Sequence, residues 1–322
     1  MSAADSVADA ITLDADDVLA AAGRIAPWVH RTPVLTSEAL DDIAGCRLFF
    51  KCENLQKAGA FKSRGACNAV FALSDDAAAR GVATHSSGNH GAALARAAKL
   101  RGIPAYIVVP ENANAVKKAA ISSYGAEIIE CESTLEARES TLDRVLERTG
   151  ATMVHPYDDD FVIAGQGTAT LELMADAPDL DAVITPVGGG GLLAGSALIA
   201  AGKARVYAAE PSGADDAYRS FRSGERVTSH VPDTICDGLL TTVGERNFAI
   251  MQRDVEDVLL ADDAAIVAAM KLIWTRLKIV TEPSSAVTLA ALLGHPDRFA
   301  GKRVGLVLTG GNVDLSKLPF AS

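Results

Sequence analysis

Aromatic residues are scarce in this chain, with nine Phe, five Tyr and two Trp among 322 residues. Hydrophobic residues still make up 49%, so the core must be built mostly from small aliphatic side chains. That apolar fraction excludes a disordered chain. Long hydrophobic runs are missing too: the strongest, residues 192–201, is short and bounded by glycines. It falls well under the roughly 18–20 apolar residues that span a bilayer. Positive charge is in deficit, with 30 Lys+Arg against 41 Asp+Glu and a formal net charge of -11. Such a surplus of acid argues against nucleic-acid or anionic-membrane partners. Cysteine is sparse and odd in number (Cys46, Cys52, Cys67, Cys131 and Cys236), with no CxxC spacing. This argues against a disulfide framework or zinc knuckle and predicts buried thiols in a reducing cytoplasm. The stretch 1–17 is acidic, without arginine or an apolar segment, and reads as a solvated lead-in to a helix over 14–29 rather than as a targeting signal.

No repeat or low-complexity linker divides the chain, whose length allows two domains, or one with a subdomain. Short apolar strand candidates alternate with longer helical patterns. Strands are expected at 47–52, 82–86, 105–109, 127–130, 152–155, 182–186, 205–210 and 304–308. Helices are expected at 63–73, 90–101, 115–124, 135–149, 165–174, 192–201, 263–277 and 284–293. This order predicts an α/β fold with mostly parallel sheet covered on both faces, chemistry collecting in loops after strand carboxyl ends.

One such loop is Gly188-Gly189-Gly190-Gly191, between an expected strand and an expected helix. Unshielded backbone amides at a helix N-terminus suit an anion, and a phosphate is the natural guest. A purely structural turn is the alternative. Residues 189–194 also fit the dinucleotide pattern GxGxxA, with Glu210 following at the distance of a ribose-binding acid. A glycine run meets that short pattern easily. A second feature is Lys62, at a helix start behind small residues and Phe61. A helix dipole and a neighbouring cation keep such an amine neutral and nucleophilic, although a lone lysine is most often a solvated surface charge.

The segment Lys51 to Ala66, with Ser86-Ser87-Gly88-Asn89-His90-Gly91, the glycine loop and Thr309-Gly310-Gly311-Asn312, closely resembles the pyridoxal-phosphate enzymes of the serine/threonine dehydratase and serine racemase family, fold type II. The resemblance runs from about Thr32 to Leu318, with the four motifs in the expected order. It implies two parallel-sheet α/β domains with the cofactor in the cleft between them. Residues 1–71 and 159–322 would form a discontinuous large domain and 72–158 a small inserted one. Lys62 would hold the pyridoxal phosphate covalently, Phe61 would pack near its ring, and Asn89 would hydrogen-bond the pyridine 3'-oxygen. Gly188, Gly189, Gly190 and Gly191 would cradle the phosphate, and Thr309 would face the pyridine nitrogen. A hydroxyl there cannot hold a proton on the ring as a carboxylate would, so the ring is a weaker electron sink and a β-leaving group should depart quickly.

The implied reaction removes water and then ammonia from a small β-hydroxy amino acid, giving a 2-oxo acid, with Lys62 taking the α-proton. L-Serine, L-threonine, threo-3-hydroxyaspartate and an aryl-serine are the candidates. Ser86, Ser87, Gly88, Asn89 and His90 would bind the substrate carboxylate at a helix N-terminus, with His90 orienting rather than transferring a proton. Ser86 and Ser87 could also simply cap that helix. In the racemase branch Ser87 acts as acid/base opposite the lysine, which makes some racemisation possible. Arg138 and Thr241 lie where relatives place groups near the substrate; Arg138 suits a second carboxylate, or else a surface pair with Glu136 or Glu139. Glu210, the Ala214 carbonyl and Asp216 resemble the racemase-like cation site, whose hard oxygen donors suit Mg²⁺, Mn²⁺ or Ca²⁺. The alternative there is a helix capped by Ser212, Asp215 and Asp216.

Two small residues depart from the family pattern, Ala58 and Ser63, and imply a roomier pocket. Little chain follows Asn312, so no regulatory domain is expected. The implied partners are a small amino acid substrate and a second copy of the chain in a homodimer, with no nucleic acid and no membrane. A serine racemase, a non-catalytic amino-acid- or nucleotide-binding module and a nicotinamide oxidoreductase are the alternatives; the last gives Lys62 no role.

Overall fold

The computed structural model describes residues 12–86, 88–113 and 115–320. The chain opens with α1 (Ala15–Ile25), β1 (Val34–Leu35), α2 (Glu38–Ala44), β2 (Arg47–Cys52), α3 (Lys62–Ala72) and α4 (Asp75–Ala79). Next come β3 (Val82–Thr84), α5 (Asn89–Arg101), β4 (Ala105–Pro110), α6 (Ala115–Ser123), β5 (Glu127–Cys131), α7 (Leu135–Thr149) and β6 (Thr152–Met153). After α8 (Asp160–Asp176) and β7 (Ala182–Pro186) the order is α9 (Gly191–Ala200), β8 (Arg205–Pro211), α10 (Asp216–Ser223), α11 (Glu245–Asp254) and β9 (Asp257–Ala261). The chain ends with α12 (Asp263–Arg276), α13 (Pro283–Leu293), α14 (Pro296–Phe299) and β10 (Arg303–Leu308).

Two sheets result. The larger has the order β1-β2-β10-β7-β8-β9, parallel except for the antiparallel β1–β2 edge. The smaller, β5-β4-β3-β6, is wholly parallel. Strands buried on both faces read as continuous apolar runs, and β7 is buried at all five positions. The helix α9 is likewise buried at every residue, lying between the large sheet and α8. Small residues make that layer possible. A Cβ on Gly195 would lie 2.3 Å from the Ile163 carbonyl, and one on Gly167 2.6 Å from the Gly195 carbonyl, so two helix backbones nearly touch. The scarcity of aromatics and this close packing are one fact seen twice.

The α/β fold and the eight expected strands are present, with ends shifted by a residue or two. The helix expected over 14–29 stops at Ile25, with Ala26 still in the helical region as its C-cap, since Pro27 has no backbone N–H to continue the ladder. Its start is set by Asp14, which accepts from the Asp16 and Asp17 amides in a capping box. Six elements escaped the periodicity reading altogether: β1, α2, α4, α11, β9 and α14. The strand β9 opens on Asp257, whose buried carboxylate takes Arg222 at 2.7 Å and Arg298 at 2.6 Å. A charged residue at that point masks a short strand. All five cysteines are free and buried, and burial pushes the Cys52 and Cys236 thiols up to about 12, where they stay protonated. Among the described residues no helix is long and apolar enough to cross a membrane.

Candidate active site

Each of the four motifs follows a strand of one of the two sheets. Lys62 opens α3 after β2, Asn89 opens α5 after β3, the glycine loop follows β7, and Thr309 follows β10. Ladder-like bonds stitch the first and last together. The Phe61 amide donates to the Thr309 carbonyl at 2.9 Å and the Gly311 amide to the Gly59 carbonyl at 3.0 Å, beside an isolated bridge between Ala60 and Gly310. Asn312 Nδ2 donates to the Ala58 carbonyl and to Asn89 Oδ1, both at 2.9 Å, which adds the second motif.

The Lys62 Nζ donates to the Pro156 carbonyl at 2.7 Å and lies 5.1 Å from the Phe61 ring centre. No carboxylate pairs with it among the described residues. Desolvation lowers its pKa to about 8, which leaves a sizeable neutral fraction at physiological pH. Next to it, His90 is buried, with Nε2 3.1 Å from the Val154 carbonyl and Nδ1 without a partner. Burial and then the Lys62 charge push its imidazole down to about 3, so it is neutral and anchored. His155 is pushed to about 4, again chiefly by burial.

Tyr157 ties the lysine to the glycine loop. It follows Pro156, and its ring stacks edge-on with His155 at 4.5 Å. A Cβ on Gly189 would meet three atoms of the Tyr157 ring at 2.1–2.4 Å, and one on Gly191 the Tyr157 carbonyl at 2.8 Å. Asn247 Nδ2 bridges the Gly189 carbonyl at 2.7 Å and the Tyr157 carbonyl at 2.9 Å. Gly190, at φ +88, stands at the N-cap of α9 in the left-handed region that glycine tolerates. Replacing Gly189 by alanine drives a methyl into the base of an aromatic ring, so we expect a loss of about 1–3 kcal/mol, read by chemical denaturation.

Asn89 is held from both ends: its Nδ2 lies 3.1 and 3.3 Å from the two Glu282 oxygens while its Oδ1 accepts from Asn312. Glu282, Tyr157, Asn247 and Ser285 escaped the sequence reading. The Ser285 hydroxyl lies 3.0 Å from the Thr309 hydroxyl and 2.8 Å from the Gly310 carbonyl. Glu282-Pro283 reads as an ordinary helix start, which conceals the carboxylate. The other three are brought in by tertiary folding alone and leave no local signal.

Other expected residues are placed as follows. Ser87 lies outside the described residues. Gly88 is the N-cap of α5 and no side chain caps it, so the capping alternative for Ser86 fails. Arg138, on α7, is half-buried and makes no ion pair with Glu136 or Glu139. Instead, its charge, second to burial, lowers the pKa of His85, beside the second motif. Thr241 is exposed on a long irregular loop; burial raises the Tyr157 phenol pKa, and the Thr241 side chain lowers it. Ser63 is fully buried with its hydroxyl on the Lys57 carbonyl at 2.5 Å, so it packs the turn rather than enlarging a pocket.

Glu210, at the end of β8, is fully buried; its two oxygens accept from the Ala217 and Tyr218 amides, each at 2.8 Å. Burial and then the Asp216 charge push its carboxyl up to about 9. Asp216 Oδ2 accepts from the Val243 amide at 2.9 Å, and its buried Oδ1 lies 3.5 Å from His230 Nε2 with no hydrogen-bond partner. Asp215 and Asp216 do not cap α10 through their side chains; Glu210 meets those amides. Among the described residues no three His, Cys, Asp or Glu side chains form a metal cage.

Residues 25–310 match the family described as pyridoxal-phosphate dependent enzyme. A β-hydroxyaspartate dehydratase of Paracoccus denitrificans is 52% identical over 308 residues, covering 95% of this chain and 98% of that protein. The crystal structure of serine racemase from Dictyostelium discoideum superposes with a TM-score of 0.91 at 51% identity, covering 95% and 100% of the two chains. The crystal structure of a T.th. threonine deaminase gives a TM-score of 0.90 at 43% identity, with 95% and 100% covered. With its four motifs gathered around Lys62 and this breadth of match, the chain belongs to the pyridoxal-phosphate-dependent enzymes of fold type II.

Proposed function

We propose that this enzyme removes water and then ammonia from 3-hydroxyaspartate, a β-hydroxy amino acid with a second carboxylate, and leaves a 2-oxo acid. Arg138 carries the reading. It is a half-buried guanidinium without an ion pair among the described residues, its charge felt at His85 next to the expected carboxylate-binding loop. A free planar fork of donors near such a loop suits a dicarboxylate. The dehydratase of Paracoccus denitrificans acts, by its name, on such a compound.

The residues present fit the cofactor. An amine that burial holds near 8, with no carboxylate on it, suits covalent attachment. The unshielded amides of Gly188 to Gly191, at the start of a buried helix, suit a phosphate. Lys62 would hold pyridoxal phosphate, with Phe61 against its ring, Asn89 and Thr309 at its polar edges and the glycine loop on its phosphate. When bound, the cofactor supplies an electron sink for the substrate α-carbon. Lys62 Nζ takes the α-proton. The amides and side chains of Ser86 to His90 hold the α-carboxylate at the N-terminus of α5, and Arg138 and Thr241 hold the far end of the substrate. His90, neutral and tied to Val154, keeps that loop in place.

This reading includes a divalent cation, Mg²⁺, Mn²⁺ or Ca²⁺, at Glu210, the Ala214 carbonyl and Asp216. Two neighbouring carboxylates that burial pushes up, Glu210 further raised by the Asp216 charge and Asp216 with an orphaned oxygen, are what a cation relieves. It also includes the division into residues 1–71 with 159–322 and 72–158, which agrees with the two sheets, and a cytoplasmic homodimer, the compartment consistent with five free buried thiols.

The test is substrate selectivity. Replacing Arg138 by glutamine should lower kcat/KM for 3-hydroxyaspartate by about 100-fold, the worth of a charge-assisted pair, and leave L-serine within about threefold. Equal losses on both substrates would remove the dicarboxylate reading. Serine racemisation is the second reading, favoured by the serine racemase likeness. Formation of D-serine from L-serine faster than elimination would place it first.

A further inference from the structure

Two residues after Lys62, Arg64 leaves the other side of the same helical turn, about 200° around the axis at 3.6 residues per turn. It is fully buried. Its Nε and Nη2 grip Glu53 Oε2 and Oε1, both at 2.7 Å. Its Nη1 and Nη2 grip Glu172 Oε1 and Oε2 at 2.9 and 2.8 Å. Thr168 Oγ1 at 3.1 Å and the His30 carbonyl at 3.3 Å complete the shell. Lys51, also fully buried, donates to Glu172 Oε2 at 2.6 Å and to the Thr32 carbonyl at 2.7 Å. Thr32 Oγ1 donates to Glu53 Oε1 at 2.5 Å. Two cationic and two acidic side chains thus join β2, the turn after it, α3 and α8.

Stability alone accounts poorly for this cluster. Burying ions costs desolvation, and a well-packed apolar set of the same volume is often as stable or more so. A planar fork gripped on two edges does what apolar packing cannot: it fixes the rotation of α3 about its own axis. Any such rotation swings Lys62 Nζ off the Pro156 carbonyl. We propose that Arg64, clamped between Glu53 and Glu172, is the positioning residue that aims Lys62. The inference rests on the reading of Lys62 as the reactive amine.

Arg64→Lys in the holoenzyme keeps the charge and removes the fork. A misplacement of about 1 Å costs about 100-fold in rate, so kcat should fall by about that factor while KM stays within about threefold. The pH midpoint of kcat should move upward from near 8 as the amine loses its enclosure, and the visible band of the bound cofactor should shift. A paired variant, Lys51→Met with Glu172→Gln, preserves charge balance and the Glu53 grip, and should lose about tenfold in kcat. Wild-type kcat, midpoint and band in a folded Arg64→Lys protein overturn the proposal. So does a loss of activity that merely follows loss of folded protein in both variants, with the midpoint unmoved. A Lys62→Ala protein that turns over normally would sink the reading of Lys62 itself; a dead Lys62→Ala beside an unaffected Arg64→Lys sinks only the positioning role.

Discussion

Replacing Lys62 by alanine is expected to lower turnover by about 10⁵-fold or more, the scale seen when an essential nucleophile or base is removed. The protein should fold. In the cofactor-free chain the buried amine is a burden, because its pKa is about 8 in the fold against about 10.4 in an unfolded chain. The sign follows from proton binding. Between those values the unfolded chain holds the proton that the fold does not, so stability rises with pH by about 1.4 kcal/mol per unit and is lost as pH falls through 8. Alanine removes that slope. In the intact enzyme, kcat should rise with pH to a midpoint near 8, because the neutral amine is the form that accepts a proton. Borohydride treatment should fix pyridoxal phosphate on the Lys62 peptide, read by mass spectrometry. Label on another lysine, or an active Lys62→Ala protein, would end this assignment.

The parts of this site that the sequence discloses are those whose chemistry is local. Four glycines between strand and helix, a lysine behind Phe61 and a Ser-Ser-Gly-Asn-His run each announce themselves, and the alternation of short and long apolar patterns discloses the parallel sheets. What stays hidden is whatever depends on partners far along the chain. Glu282 lies 193 residues from Asn89, Asn247 lies 58 from Gly189, and Glu172 lies 108 from Arg64. Periodicity records which face of an element is apolar, and it is silent on which polar side chain will be buried against which other. The buried Arg64 shows the limit. Its helix reads as weakly amphipathic because Ser63 to Val70 are all buried, so a fully enclosed guanidinium looks there like a surface charge. Tyr157 is hidden for another reason, since only the missing Cβ of Gly189 makes room for its ring.

Glu210 is a position where a single substitution should disturb stability strongly. Its two oxygens satisfy the Ala217 and Tyr218 amides at the start of α10, and each buried amide left without an acceptor costs about 1–3 kcal/mol. At about pH 4 and below, where its contribution is full, Glu210→Ala should therefore lose about 4 kcal/mol, the midpoint for two such groups. In the cation-free protein the Glu210 pKa of about 9 stands above the unfolded value of about 4.3. Its contribution is full below the unfolded value and is lost as pH rises toward 9, by about 1.4 kcal/mol per unit. A divalent cation binds the ionised form. Adding Mg²⁺ or Mn²⁺ at pH 7 should consequently release about one proton per chain and cancel that loss. Calorimetry in two buffers of different ionisation enthalpy measures the proton, and denaturation with and without the cation measures the stabilisation. Glu210→Gln separates the two roles: its one amide oxygen can still accept from one of the two amides at the start of α10, so about half of that contribution should remain while proton release disappears. A wild-type protein that neither releases a proton nor gains stability with either cation would leave Glu210 as a helix-capping carboxyl and remove the metal from the function proposed for this enzyme.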